Sequence, residues 1–72
     1  MSPVAMTVHK RRREILAWLQ DRPHKAWSAE VVAKHFGLSR DVARRDLTAL
    51  GKTRHVHEEP GTGRLPTMWR AK

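Results

Sequence analysis

The chain has 72 residues, which is enough for one small domain and leaves little room for a catalytic pocket with its supporting shell. It contains no cysteine, which excludes disulfide bonds, thiolate metal ligands and thiol nucleophiles. Lys and Arg number 15 against 7 Asp and Glu, and the net charge of +8 points to a polyanionic partner rather than to an enzyme.

Neither a membrane span nor a secretory signal is expected. No apolar run approaches the roughly 20 residues that a membrane-spanning helix needs, and no apolar stretch with a cleavage site follows the first residues. Residues 1–6 are predicted to form a flexible N-terminus, and residues 7–72 are predicted to form one folded domain.

Capping residues and apolar spacing predict two helices in the first half of the chain. Thr7 is a candidate N-cap for a helix that ends at Gln20. Its apolar residues at helical spacing are Val8, Ile15 and Leu19. Ser28 is the next candidate cap, for a helix over residues 29–36, and Gly37 suits a left-handed C-cap.

A third helix is predicted to begin after Ser39 and to run from Arg40 to about Gly51. The residues on its apolar face are Ala43, Leu47 and Leu50. Residues 36–39 form the tight turn before it, in which Leu38 is expected to pack inward. Two short helices joined in this way make a helix-turn-helix, whose second helix enters the major groove of DNA.

The last part of the chain predicts a β-hairpin. Val56 lies in its first strand, Pro-Gly-Thr-Gly at 60–63 is its turn, and residues 65–70 form its second strand. A very short strand is predicted over residues 25–27. Each of the two prolines of the hairpin lacks a backbone donor, which places them at strand edges or ends. The fold class is therefore α+β, a winged helix-turn-helix with three helices and a small C-terminal β-hairpin wing.

The outer side of the third helix carries the residues expected to read DNA bases. These are Arg40, Asp41, Arg44, Arg45 and Thr48. Arg suits guanine edges and phosphates because its fork of donors is planar and permanently charged. Asp46 is a candidate ion-pair partner for one arginine, which would give that arginine a structural role.

Candidate phosphate contacts surround the third helix. They are Lys10, Arg11, Arg12, Ser28, Ser39, Lys52, Arg54, Thr62 and Arg64. Basic residues at the start of the first helix oppose the helix dipole, which favours a phosphate partner there. Glu58 and Glu59 precede the wing turn and would repel a phosphate.

The histidines, tryptophans and glycines predict structure rather than chemistry. His55 and His57 share a strand face without a third ligand, so no metal site is expected. Trp18, Trp27 and Trp69 are expected to pack in the core and the hairpin. The turn at 61–63 is not followed by the Gly-Lys-Ser/Thr of a phosphate-binding loop, and no cofactor is expected.

Residues 11–50 resemble the N-terminal DNA-binding segment of the DeoR-type bacterial repressors. The contiguous match is Arg-Arg-Asp-Leu-Thr-Ala-Leu at 44–50, and Phe-Gly-Leu-Ser at 36–39 is similar to the family's turn. The family's Thr and Ile in the recognition helix are replaced by Val42 and Ala43. Those repressors carry a large sugar-phosphate domain that this sequence does not contain. In size the chain is more similar to the stand-alone PapI/FaeA-type regulators.

A second resemblance is to the domains that bind left-handed, Z-form nucleic acid, which are also winged helices. Pro66 and Trp69 are similar to the proline-rich wing of those domains, which ends in Trp. The Asn and Tyr of their recognition helix are replaced by Arg44 and Thr48, and the chain contains no Tyr.

These observations predict a sequence-specific regulator of transcription that binds double-stranded DNA in the cytoplasm, at the nucleoid, and reads the major groove with residues 40–50. The alternative is a winged-helix module that binds proteins, for example a phage or plasmid protein that binds a host protein. A homodimer or a protein partner stays open, whereas neither a membrane nor a small-molecule effector is implied. A continuous basic stripe over the third helix and the wing would favour DNA.

Overall fold

Three helices, each started by a hydroxyl cap, make up most of the computed structural model, which describes residues 7–72. They are α1 (Val8–Gln20), α2 (Ala29–Phe36) and α3 (Arg40–Lys52). The caps Thr7, Ser28 and Ser39 accept hydrogen bonds from the backbone N–H three residues later at 3.2, 3.3 and 3.2 Å. The predicted helices are confirmed, and α3 ends one residue later than expected. The predicted flexible residues 1–6 lie outside the described part.

The turn between α2 and α3 depends on Gly37. Its φ of 67° is in the left-handed region, and its N–H donates to the carbonyl of Ala33. The N–H of Leu38 donates to the same carbonyl at 2.8 Å. These two hydrogen bonds to one carbonyl end α2, and α3 begins three residues after Gly37, as the helix-turn-helix pattern predicts.

A small antiparallel sheet closes the fold. Its strands are β1 (Trp27–Ser28), β2 (Val56–Glu59) and β3 (Met68–Ala71), in the order β1-β3-β2. Trp69 of β3 is paired with β1 on one side and with β2 on the other. The hairpin is confirmed, but its second strand begins at Met68 rather than at residue 65. Both prolines therefore lie in the loop, and neither interrupts the ladder.

The core lies where the three helices meet the sheet. Its buried apolar residues are Ile15, Leu19, Ala29, Val32, Ala33, Ala43, Leu47, Leu50, Val56, Trp69 and Ala71. Trp18, Trp27, Phe36 and Leu38 pack against this cluster and are partly buried. Val8 was expected on the apolar face of α1 but is 42% exposed, because the first turn of α1 extends beyond the core.

The β2–β3 hairpin projects from this core as a wing, and the architecture is a winged helix-turn-helix. The loop of the wing is folded back on itself. Gly61 donates its N–H to Oγ1 of Thr67 at 3.2 Å, and Leu65 donates its N–H to the carbonyl of Thr62 at 3.0 Å. No helix among residues 7–72 is both long and apolar enough to cross a membrane.

The wing loop has no space for a side chain at Gly61, because an added Cβ would lie 2.1 Å from the carbonyl oxygen of Leu65. We expect Gly61→Ala to lower the free energy of unfolding by about 1–3 kcal/mol, as overpacking does. The matched control is Gly51→Ala in α3, where a Cβ meets nothing within 4 Å. That change should raise the free energy of unfolding by about 0.5–1 kcal/mol. Urea denaturation measures both, and equal effects would contradict the packing described for the loop.

Candidate nucleic-acid interface

The outer side of α3 is a row of exposed cations. Arg40 and Arg44 are one helical turn apart and therefore share a face. Arg45 and Lys52 are also exposed, and Thr48 is half-buried. This arrangement follows from the core, since the apolar residues of α3 point inward and leave the basic ones outside.

A groove runs along one flank of α3, between this helix and α1. Its lining residues are Arg12, Asp41, Arg44, Arg45, Thr48, Ala49 and Lys52. Four of these side chains are cationic and one is acidic, so the groove is electropositive. It contains four of the five predicted base-reading residues and two of the predicted phosphate contacts.

A second groove runs along the other flank of α3, between the start of α2 and the wing. Its lining residues are Ser28, Ala29, Glu30, Arg40, Arg44, Pro66, Thr67 and Trp69. Arg44 lines both grooves. The helix α3 is thus a ridge between two grooves, and Arg44 lies on the ridge.

The cations of α3 are not neutralised by the protein itself. The ion pairs within residues 7–72 involve Arg11 and Arg12 with Asp46, Arg22 with Asp21, and Arg70 with Glu59. In the same part of the chain, neither Arg40, Arg44, Arg45 nor Lys52 forms an ion pair. Their charges are therefore available to an anionic partner.

The carboxylate of Asp46 is fully buried, and α1 supplies its counter-charges. Arg11 donates to it through Nε and through Nη2, the latter at 3.0 Å, and Arg12 donates through Nε at 3.0 Å. Burial alone would raise the pKa of Asp46, but the hydrogen bonds and charges of the two arginines outweigh it, so the pKa is lowered. The hydrogen bond from Arg11 to Asp46 correspondingly raises the pKa of Arg11.

Two of the predicted phosphate contacts take part in this ion pair. The side chain of Arg11 is 19% exposed and is bound to Asp46 through two nitrogens, so it joins α1 to α3, and its contact with a phosphate stays a prediction. Arg12 is also paired with Asp46, but its side chain is 30% exposed and lines the groove beside Arg44. The partner of Asp46 is therefore α1, and Arg45, its neighbour in sequence, stays exposed.

The other predicted phosphate contacts are spread over the second groove, the start of α3, α1, the residues after α3 and the wing. Ser28 lines the second groove, and Ser39 caps α3 without lining either groove. Lys10 is exposed on α1, and Arg54 follows α3 with a φ of 64°. Thr62 and Arg64 are exposed in the loop of the wing.

The wing also contains residues that were not predicted as site residues. Pro66 and Thr67 line the second groove, and the Thr67 hydroxyl accepts the hydrogen bond from Gly61. Both wing carboxylates are bound by β3. Glu58 accepts a hydrogen bond from Nε1 of Trp69 at 3.2 Å, and Glu59 pairs with Arg70 at 3.0 Å. The ion pair with Arg70 reduces the expected repulsion of phosphate by Glu59, whereas the neutral indole leaves the charge of Glu58 in place.

The histidines of the hairpin are separated from one another. His55 is bound through Nδ1 to the Thr53 hydroxyl at 2.7 Å, whereas His57 is paired with Arg70 in the β ladder. No group of three potential metal ligands lies together within residues 7–72.

Comparison with known proteins supports the fold. Neither a model of a protein family nor a curated protein sequence matches the chain. Among solved structures, the chain is similar to ORF112-Zalpha of Cyprinid Herpesvirus3, described in its binding mode to Z-DNA, with a TM-score of 0.71. The similarity covers 89% of this chain and 95% of that one at 22% sequence identity. At this identity the likeness shows a shared winged-helix fold.

Removal of the buried charge should weaken the contact between α1 and α3. We expect Asp46→Asn to lower the free energy of unfolding at pH 7 by about 1–3 kcal/mol, because Arg11 loses its counter-charge. The pKa of Asp46 is lower in the folded state than in the unfolded state, near 4 for an unperturbed Asp. Its contribution is therefore complete above about pH 4 and is lost as the pH falls through the folded-state pKa.

Urea denaturation from pH 7 down to pH 2.5 tests this expectation. The stability difference between the wild type and Asp46→Asn should shrink in acid. Asp41→Asn is the matched control, because Asp41 is exposed on the same helix. A difference that stayed constant with pH would show that the carboxylate charge does not stabilise the fold.

Proposed function

We propose that the chain binds double-stranded DNA with α3 in the major groove. The observation that carries this proposal is the row of arginines on the outer side of α3, between two grooves, without an ion pair of its own within residues 7–72. The major groove admits one α-helix, and the DNA backbones on its two sides would follow the two flanking grooves.

The positions of the cations suit a division between bases and phosphates. Arg40 and Arg44 share a face one turn apart, so they can reach neighbouring base pairs. Arg12 and Lys52 lie at the outer edge of the first groove, where a DNA phosphate would pass. Planar arginine forks bind guanine O6 and N7 through two hydrogen bonds.

The wing is suited to bind the opposite strand. Pro66 and Thr67 face Arg40 across the second groove, and Arg64 is exposed in the same loop. Residues 60–67 of the loop contain no acidic residue, and Glu59, which precedes the loop, is paired with Arg70. A phosphate in this groove would lie against the wing, while Arg40 reaches the bases.

The finer proposal is sequence-specific regulation of transcription in the cytoplasm. A single module of this size buries roughly 600–1,000 Å² on DNA, so useful affinity needs a dimer, tandem sites or a partner bound nearby. The protein-binding alternative is less favoured, because four cations line one groove of α3 and two arginines line the other. An evenly scattered charge would have favoured it instead.

A second candidate function is recognition of left-handed DNA by its shape. Two observations favour it: the likeness to a Zalpha domain, which binds Z-DNA, and the position of Trp69, which with Pro66 and Arg44 lines the second groove. Arg44 and Thr48 differ from the Asn and Tyr of that family's recognition helix. Planar arginine forks suit the guanine edges in the major groove of right-handed DNA, so right-handed DNA stays the first candidate.

Selection from a random duplex library at near-physiological salt tests the proposal. We expect the wild type to enrich a sequence motif, and the double variant Arg40→Ala/Arg44→Ala to lose it. The matched control is Arg22→Ala/Lys25→Ala, which removes the same charge from residues that pack over Trp18 and Trp27 and line neither groove.

Three outcomes of the selection are distinct. A motif that survives in the α3 variant would contradict base reading by that helix. Preference for an alternating cytosine–guanine duplex stabilised in left-handed form would select the second candidate. Weak, motif-free binding shared by all variants would indicate that the charge of +8 binds any polyanion.

Single substitutions should separate base contacts from phosphate contacts. Arg44→Ala should weaken binding to the selected site by about 1–3 kcal/mol and relax its base preference, whereas Lys52→Ala should weaken binding to all sequences similarly. With about six phosphate contacts, the logarithm of the wild-type binding constant should fall with log salt at a slope of about −5. Fluorescence anisotropy at several salt concentrations measures the binding constants of the wild type and of both variants. A binding constant that does not change with salt would exclude phosphate binding.

A further inference from the structure

Leu65 is an apolar side chain placed in water at the loop of the wing. It is 70% exposed, whereas the other exposed large apolar residues in the described part of the chain, Val8 and Val31, are each 42% exposed. It belongs neither to the core cluster nor to the partly buried apolar residues that pack against it. Leu65 therefore does not stabilise the core, and its exposed surface is available to a ligand.

The backbone on both sides of Leu65 is constrained. Its N–H donates to the carbonyl of Thr62 at 3.0 Å, and its own carbonyl lies against Gly61, where no Cβ would fit. Pro66 follows directly and restricts its own φ and the conformation of Leu65. The loop thus presents Leu65 in a defined position rather than on a freely moving chain.

The neighbours of Leu65 connect it to the proposed interface. Pro66 lines the second groove together with Arg40 and Arg44. Arg64, on the other side of Leu65, is exposed and forms no ion pair within residues 7–72. In this order of residues, the cation can contact a DNA phosphate while the apolar side chain contacts an unstacked base step next to it.

We propose that Leu65 is a wedge that enters a base step of bound duplex DNA from the minor groove, while Arg64 contacts the adjacent phosphate. This inference rests on the proposed binding of α3 to the neighbouring major groove. Leu, Pro and other apolar side chains that partly unstack a base step kink the duplex towards the major groove. The kink would wrap the duplex around α3 and the wing, and flexible pyrimidine–purine steps would be preferred.

End-to-end energy transfer on a duplex of about 20 base pairs, labelled at both ends and carrying the selected motif, measures the bend. The wild type should shorten the distance between the dyes, Leu65→Ala should abolish the shortening, and Leu65→Met should retain it. Val31→Ala is the control for loss of an exposed aliphatic side chain on α2. Because Leu65 is mostly exposed, these variants keep the folded core.

A mismatch series gives an independent readout. A mismatched pair is already partly unstacked, so at the wedge step the unstacking cost of a few kcal/mol is largely absent. Moved along the duplex one step at a time, the mismatch should tighten wild-type binding about tenfold or more at one position. Leu65→Ala should show no such position.

The outcomes separate this inference from the proposed function. If the wild type binds the duplex but bends it no more than Leu65→Ala does, and no mismatch position tightens binding, the wedge is excluded and DNA binding stands. If neither protein binds any duplex, both the function and the wedge are excluded. Bending that depends on Leu65 and a mismatch gain at one step would establish the wedge.

Discussion

The buried ion pair between Asp46 and the two arginines of α1 is the contact on which the interface depends. Asp46 lies on the inward side of α3, where an unpaired carboxylate would be costly. Arg11 and Arg12 supply three hydrogen bonds to it, so the start of α1 must lie against α3 at Asp46. That crossing places the exposed part of Arg12 in the groove beside Arg44 and Arg45.

The inward side of α3 is buried and, apart from Asp46, apolar, whereas its outward side is basic and exposed. Ala43 and Leu47 are fully buried on the inward side of the helix. The arginines on the outer side take part in none of the ion pairs within residues 7–72, although Asp41 lines the same groove as Arg44 and Arg45. Part of the net charge of +8 thus lies on the outer side of α3, where Arg40, Arg44, Arg45 and Lys52 are exposed.

The wing is anchored from inside and shaped by its loop. Trp69 is 2% exposed, lies on the central strand and donates to Glu58 across the ladder, so the hairpin is fixed to the core by a large side chain. Beyond the strands, the contacts of Gly61 with Thr67 and Leu65 determine the shape of the loop. The loop of the wing thus has a defined shape, and Arg64 and Leu65 are exposed on it.

The sequence by itself determined the helices, their caps, the turn at Gly37 and the basic outer side of α3, because each depends on residues within about one helical turn of one another. The winged-helix fold followed from their order. The role of Arg11 could not be read from the sequence, since its partner Asp46 is 35 residues away and the chain offers 15 cations for the 7 acids.

Tertiary structure alone decided how the sheet and the grooves are assembled. The strand order β1-β3-β2, the burial of Trp69 and the binding of both wing glutamates all depend on pairing across the sheet. Leu65 was expected in a strand, and a period-2 pattern cannot tell a strand residue from one that the loop turns outward. Such long-range contacts leave no pattern in the local sequence, because each residue has several possible partners along the chain and only the folded structure selects one.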